Sequence, residues 1–153
     1  MRLRIGRSER RRSRSARALR NLRHGRLQRT LSAATAASAL PLGVEIYFEH
    51  YRGSFGDKWM WTPIALTPAL VAAGVAGVVS DRAARTALPF ASALFALDGA
   101  IGVVTHVRGV ARKPGGFQEP LYNIVMGPPL LAPGSLVMVG GIGLLAAVLP
   151  RER

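Results

Sequence analysis

MWTPIALTPALVAAGVAGVV, residues 60–79, carries no charged side chain and only two hydroxyls, those of Thr62 and Thr67. As a helix, a run of about 20 apolar residues covers a bilayer core of roughly 30 Å. Trp59 and Trp61 stand at one end of it, where indole rings anchor membrane helices at the headgroups. The stretch therefore reads as a transmembrane helix, and its neighbours read the same way.

Residues 87–107 form a second apolar run, broken only by Asp98 near the middle and His106 near the end. Residues 121–149 are longer than one crossing needs. Gly127-Pro128-Pro129 and Pro133 stand near their start, and proline lacks the N–H that a regular helix requires. An irregular or kinked entry followed by a helix is expected, with the span near 128–149. Upstream, residues 30–48 form the weakest span, diluted by Ser32, Thr35 and Ser38 and interrupted by Pro41 and Glu45. The fold expected is an all-α integral membrane protein with four transmembrane helices over 30–48, 60–79, 87–107 and 128–149, within a domain of residues 30–150.

The charge of the chain lies elsewhere. It has 153 residues and a formal net charge of +13, and residues 1–29 hold 12 Arg against one Glu, leaving +2 for the other 124 residues. A uniformly basic protein would suggest nucleic acid, but this tail has no interleaved aromatic rings on which bases could stack. The tail reads as a disordered or surface-lying arm on anionic lipid headgroups, worth up to about 1 kcal/mol per basic residue. With both termini inside, sixteen Lys and Arg fall on the inner side, and Arg52, Lys58, Arg108, Arg112 and Lys113 fall outside. The positive-inside rule then sets both termini in the cytoplasm, which suits a bacterial inner membrane; an organellar inner membrane is the alternative, since the tail also resembles a transit peptide. Ala37-Ser38-Ala39 would suit a signal peptidase, but the apolar character continues past it, as in an uncleaved signal anchor. The absence of Cys excludes a disulfide scaffold, a thiolate metal site and a thiol nucleophile.

An internal repeat is visible. His50-Tyr51-Arg52-Gly53 matches His106-Val107-Arg108-Gly109 at an offset of 56, and Gly43 matches Gly99 at the same offset. Residues 64–74 align with 124–134 at an offset of 60. The expectation is two tandem helical hairpins, a parallel repeat whose twofold axis lies along the membrane normal. Small residues four apart, Ala69, Ala73 and Gly77 on one helix and Ser92, Ala96 and Ala100 on another, would let the backbones approach closely.

Ionisable groups inside a membrane are functional candidates. At about 1.5 Å rise per residue, Glu45 lies about 22 Å from the inner end of its helix, Asp98 about 16 Å, His106 about 28 Å and His50 about 30 Å. The two histidines thus reach nearly the same outer depth. As axial ligands they could hold a haem b, with Arg52 and Arg108 on its propionates. With Glu45 or Glu49 they could instead hold a metal ion. A plainer reading makes H-x-R-G a helix stop, with cationic side chains at the negative end of the helix dipole and Gly after the cap. Asp98 is either a proton or cation site facing the bundle interior, or a protonated carboxyl bonded to Thr67 or Ser135. Tyr122 and Asn123 are expected to complete an outer polar pocket.

Neither a metalloprotease helix nor a serine elbow is present, and Gly115-Gly116 lacks a phosphate-loop context. Short loops leave little room for a catalytic domain. Two functions remain: a non-catalytic membrane subunit or anchor of a larger complex, plausibly respiratory or oxidoreductase, bound to other membrane or peripheral subunits and bearing an outer His and carboxylate site; or a small transporter or ion-conducting protein using Asp98 and Glu45.

Overall fold

The computed structural model describes residues 26–151, and among them every regular element is helical. α1 spans Arg26–Arg52, α2 Thr62–Val79, α3 Asp81–Arg85, α4 Ala87–Ala111, α5 Pro120–Val125 and α6 Leu131–Val148, with 3-10 turns at Lys58–Trp61 and Gly116–Gln118. Four segments are long and apolar enough to cross a membrane: α1, α2 with its preceding turn, α3 with α4, and α6. Residues 1–25, which hold most of the basic tail, lie outside the described residues.

Two helices are longer than expected, the first at both ends and the one that starts at Ala87 at its C-terminal end. α1 begins at Arg26 instead of residue 30, with Gln28 buried in its first turns, and it runs through Pro41 without a break. Pro41 sits on the exposed side of the helix, so its ring takes no space from the packed face. α4 continues past His106, Arg108 and Gly109 to Ala111, so H-x-R-G ends a helix only at its first occurrence. There, Ser54 and Phe55 take left-handed backbone angles (φ 56° and 47°), and the Phe55 N–H donates to the His50 carbonyl at 3.0 Å, reversing the chain. The proline-rich entry to the last helix is irregular as expected: α5 ends at Val125, and α6 starts only at Leu131.

The helices pack as a ring, α1 on α2, α2 on α4, α4 on α6 and α6 on α1. Glycine makes the approach of α4 to α6 close at two points. A Cβ on Gly99 would stand 2.7 Å from the Pro133 carbonyl oxygen, and one on Gly140 would stand 2.6 Å from that of Ser92. In lipid, such backbone proximity replaces the hydrophobic drive that water supplies to soluble bundles. Of the two expected small-residue stripes, Ala73, Gly77 and Ser92 are buried, whereas Ala69 and Ala100 face outward.

Phe95, Leu70 and Leu88 are fully buried and, with Ala39, Leu136 and Val139, fill the bundle's middle. The outward faces are apolar as well: Phe90, Leu97, Ile101, Met138 and Leu145 are all more than half exposed. A helix apolar all round suits a lipid environment. Both described chain ends lie at one end of the ring, where the Arg151 guanidinium donates to the carbonyls of Gly77 (2.8 Å) and Val78 (2.7 Å) at the end of α2. His50 and His106 lie toward the opposite end.

Candidate functional site

At the histidine end the ring opens into a cavity of about 720 Å³. Every part of the bundle contributes to its wall: Ile46, Glu49 and His50 from α1; Asp57, Trp59 and Met60 from the loop; Thr62 and Pro63 from α2; Asp98, Thr105 and His106 from α4; Pro128 and Pro129 before α6; and Pro133 and Leu136 within it. Ile46 and Leu136 also belong to the core, so they form the floor. Asp57 and Trp59 are exposed and form the rim.

Both histidines line this cavity and are held in the same way. His50 Nδ1 stands 2.7 Å from the Met60 carbonyl oxygen, and His106 Nδ1 stands 2.7 Å from that of Pro129. A carbonyl only accepts, so each Nδ1 carries the proton and each Nε2 keeps its lone pair while the ring is neutral. His50 is within electrostatic reach of His106, Asp98 and Glu49.

These two bonds are related by displacements of 56 residues along the first helix of a hairpin and 69 along its partner. The same two displacements carry the contact of Gly43 with Thr67 onto that of Gly99 with Leu136, and the contact of Gly74 with Ala36 onto that of Gly143 with Ser92. The offset of 60 read from the sequence does not describe the structure. Residues 64–74 lie wholly inside α2, whereas 124–134 cross the end of α5, the Gly-Pro-Pro stretch and the start of α6.

Asp98 bonds to neither Thr67 nor Ser135. Those hydroxyls donate within their own helices, to the carbonyls of Pro63 (2.7 Å) and Leu131 (2.9 Å). Its partner is Thr62, whose Oγ1 lies 2.6 Å from the carboxyl and 2.8 Å from the Trp59 carbonyl oxygen. The stagger of the antiparallel helices explains this: the middle of α4 is level with the start of α2. One hydroxyl proton cannot serve two acceptors. When Thr62 donates to Trp59, the Thr62–Asp98 bond requires a proton on Asp98; when Asp98 is ionised, Thr62 donates to it and leaves Trp59.

The remaining predicted residues fall elsewhere. Glu45 is exposed on the outer flank of α1 and does not line the cavity; its neighbour one turn on, Glu49, does. Arg52 pairs with Glu49 at 2.7 Å, and Arg108 is exposed and off the cavity wall. Asn123 is buried, but its amide donates to the carbonyls of Pro114 (3.0 Å) and Gly116 (2.7 Å), clamping the turn between α4 and α5. Tyr122 is exposed. Thr62, Asp57 and Trp59 enter the site without having been predicted. Asp57 and Trp59 carried a signal in their position beside the apolar run, whereas Thr62 carried none.

Two free Nε2 lone pairs are chemically suited to axial ligation of a haem iron, and their Nδ1 bonds are of the kind that orients such ligands. The surroundings do not suit haem b. Glu49, Asp57 and Asp98 line the cavity, no Lys or Arg does so among the described residues, and two propionates would meet carboxylates instead of guanidinium groups. Among the described residues, no three His, Asp or Glu side chains converge as a metal-ligand set. No family model, curated protein or solved structure matches this chain.

Proposed function

We propose that this chain is a small polytopic membrane protein, built from two duplicated helical hairpins with both termini cytoplasmic, that binds a small molecule from the outer side and works as a non-catalytic subunit of a larger membrane assembly. The cavity is the observation that carries the binding role. It has the size of a small-molecule site, its wall is mainly apolar, and a few polar groups converge on it from three helices and the loop between α1 and α2, the usual composition of such a pocket. Duplication is supported by the three contacts that recur under one pair of displacements.

Glu45 supports the subunit role. A carboxylate on the outer flank of a transmembrane helix is costly against lipid, and coverage by a neighbouring subunit relieves that cost. Native electrophoresis of mildly solubilised membranes tests it. The wild-type chain is expected to migrate in an assembly well above its own 16.3 kDa, and Glu45→Leu to release it. Migration of the wild type as a single chain would sink the subunit reading.

A second reading, proton or ion conduction through Asp98, is favoured by the Thr62 hydroxyl, whose two acceptors make it sensitive to the proton on Asp98. Glu45 has no part in it. In proteoliposomes, loss of a pH-dependent flux in Asp98→Asn with assembly intact would favour conduction, and no flux in the wild type would discard it.

A further inference from the structure

The chemistry of the cavity wall restricts its occupant, an inference that rests on the binding role just proposed. Nearly every side-chain polar group there offers lone pairs. Both Nδ1–H groups are used on carbonyls, leaving Nε2 as an acceptor. The Thr105 hydroxyl spends its proton on the Gly102 carbonyl at 2.8 Å, and that of Thr62 is held between Trp59 and Asp98. Among the described residues of the wall, the indole N–H of Trp59, at the exposed rim, is the one spare side-chain donor. A ligand made of acceptors, or an anion, finds few partners here, whereas a donor or a cation finds many.

Charge sets the choice between donor and cation. The elements around Asp98 supply Glu49 and His50 from α1, Asp57 from the loop and His106 from α4, while α2 and α6 contain no titratable side chain. With neutral imidazoles the wall holds up to three carboxylates and, among the described residues, no Lys or Arg; Arg52, off the wall, pairs with Glu49, which leaves Asp98 and Asp57 as the uncompensated charges. The rest of the wall is apolar and rich in proline, so the occupant must also bury hydrocarbon. A hydrated inorganic ion would waste that surface.

From this combination we infer that the cavity binds an amphipathic organic cation, such as a lipophilic amine or onium compound, with its positive centre against Asp98. Binding displaces the proton: protonated Asp98 and the cation give the ion pair and one proton, which leaves to the outer solution. The Thr62 hydroxyl follows the change by turning from the Trp59 carbonyl to the new carboxylate, so the ion pair keeps a hydrogen-bond donor.

Tetraphenylphosphonium and tetraphenylborate share one shape and carry opposite charges, which makes them suitable probes for the purified full-length chain in detergent. Equilibrium dialysis is expected to give one saturable phosphonium site, with release of one proton per cation in weakly buffered solution and no saturable site for the borate. Ala132→Trp, which fills the cavity from its wall, is expected to abolish the site, and Asp98→Asn to weaken it at least tenfold and end proton release. Equal saturable binding of the borate, or a folded Asp98→Asn that binds phosphonium as the wild type does, would overturn the cation assignment and leave the cavity role standing. If neither ion saturates and Ala132→Trp behaves as the wild type does, both fail together. Should Asp98→Asn not fold, the pair Glu49→Gln and Asp57→Asn replaces it; weakening of several-fold is expected, and unchanged affinity overturns the assignment.

Discussion

Ser92 is fully buried where α4 meets α6, and its hydroxyl has no hydrogen-bond partner among the described residues. A buried hydroxyl left unmade costs about 1–3 kcal/mol. Ser92→Ala is therefore expected to leave thermal stability unchanged or raised, against the general tendency of core substitutions to destabilise. Its neighbour across the interface behaves oppositely. A Cβ on Gly143 would collide with Ser92 Oγ and come within 3.2 Å of Thr35 Cγ2, so Gly143→Ala is expected to cost roughly 1–3 kcal/mol. In the Ser92→Ala background that cost should shrink, because the nearest obstacle is gone; a thermal-unfolding double-mutant cycle showing simple additivity would contradict the geometry. The same scale marks what the sequence could reveal about the site. Asp98, His50 and His106 were conspicuous because ionisable groups are rare in apolar runs. Thr62 was not, since its pairing with Asp98 depends on the stagger between α2 and α4, which leaves no trace in either helix's own pattern.

At the scale of elements, the apolar spans were legible to within a few residues at most of their ends, because hydrophobic length is a strong constraint in a membrane. What failed were inferences from short matches. Gly53 and Gly109 share a motif, but only the first follows the last residue of its helix, since the chain reverses there while α4 runs on to Ala111. The displacement along the second helix of each hairpin differs from the expected 60 for a related reason. Displacements of 56 and 69 imply 13 more residues between the helices of the second hairpin, and these include α5 and much of the Gly-Pro-Pro stretch. In sequence built from Ala, Leu, Pro and Gly, the identities at an offset of 60 do not fall at matching places in the helices. One long-range tie was equally invisible. Arg151 reaches back over more than 70 positions to cap α2, satisfying carbonyls that a helix end leaves open and complementing its dipole. Arg151→Ala is expected to lower stability by roughly 1–2 kcal/mol, given the charged donor and its partial exposure. Lysine there should restore only part of the loss, because an ammonium lacks the planar fork that meets two carbonyls at once. Denaturant titration in detergent distinguishes the three chains.

The whole molecule raises the question of what orients it. The bundle itself is nearly balanced: Arg26, Arg29, Arg82, Arg85 and Arg151 lie at the end with the chain termini, and Arg52, Lys58, Arg108, Arg112 and Lys113 at the histidine end. With Arg153 beside Arg151 in the sequence, six cations against five give the positive-inside rule almost nothing to act on. Residues 1–25 add ten arginines against Glu9, so the asymmetry of the chain resides almost entirely in the tail. Changing those ten arginines to glutamine is therefore expected to convert a uniform topology into a mixture, read by a C-terminal reporter active only in the cytoplasm. The consequence extends to the cavity. Its rim faces whichever side the histidine end faces, so in whole cells an inverted population would lose phosphonium binding that a membrane-impermeant competitor can displace, while the purified variant binds as before. A reporter signal unchanged by the ten substitutions would mean that the short loops orient the bundle without the tail.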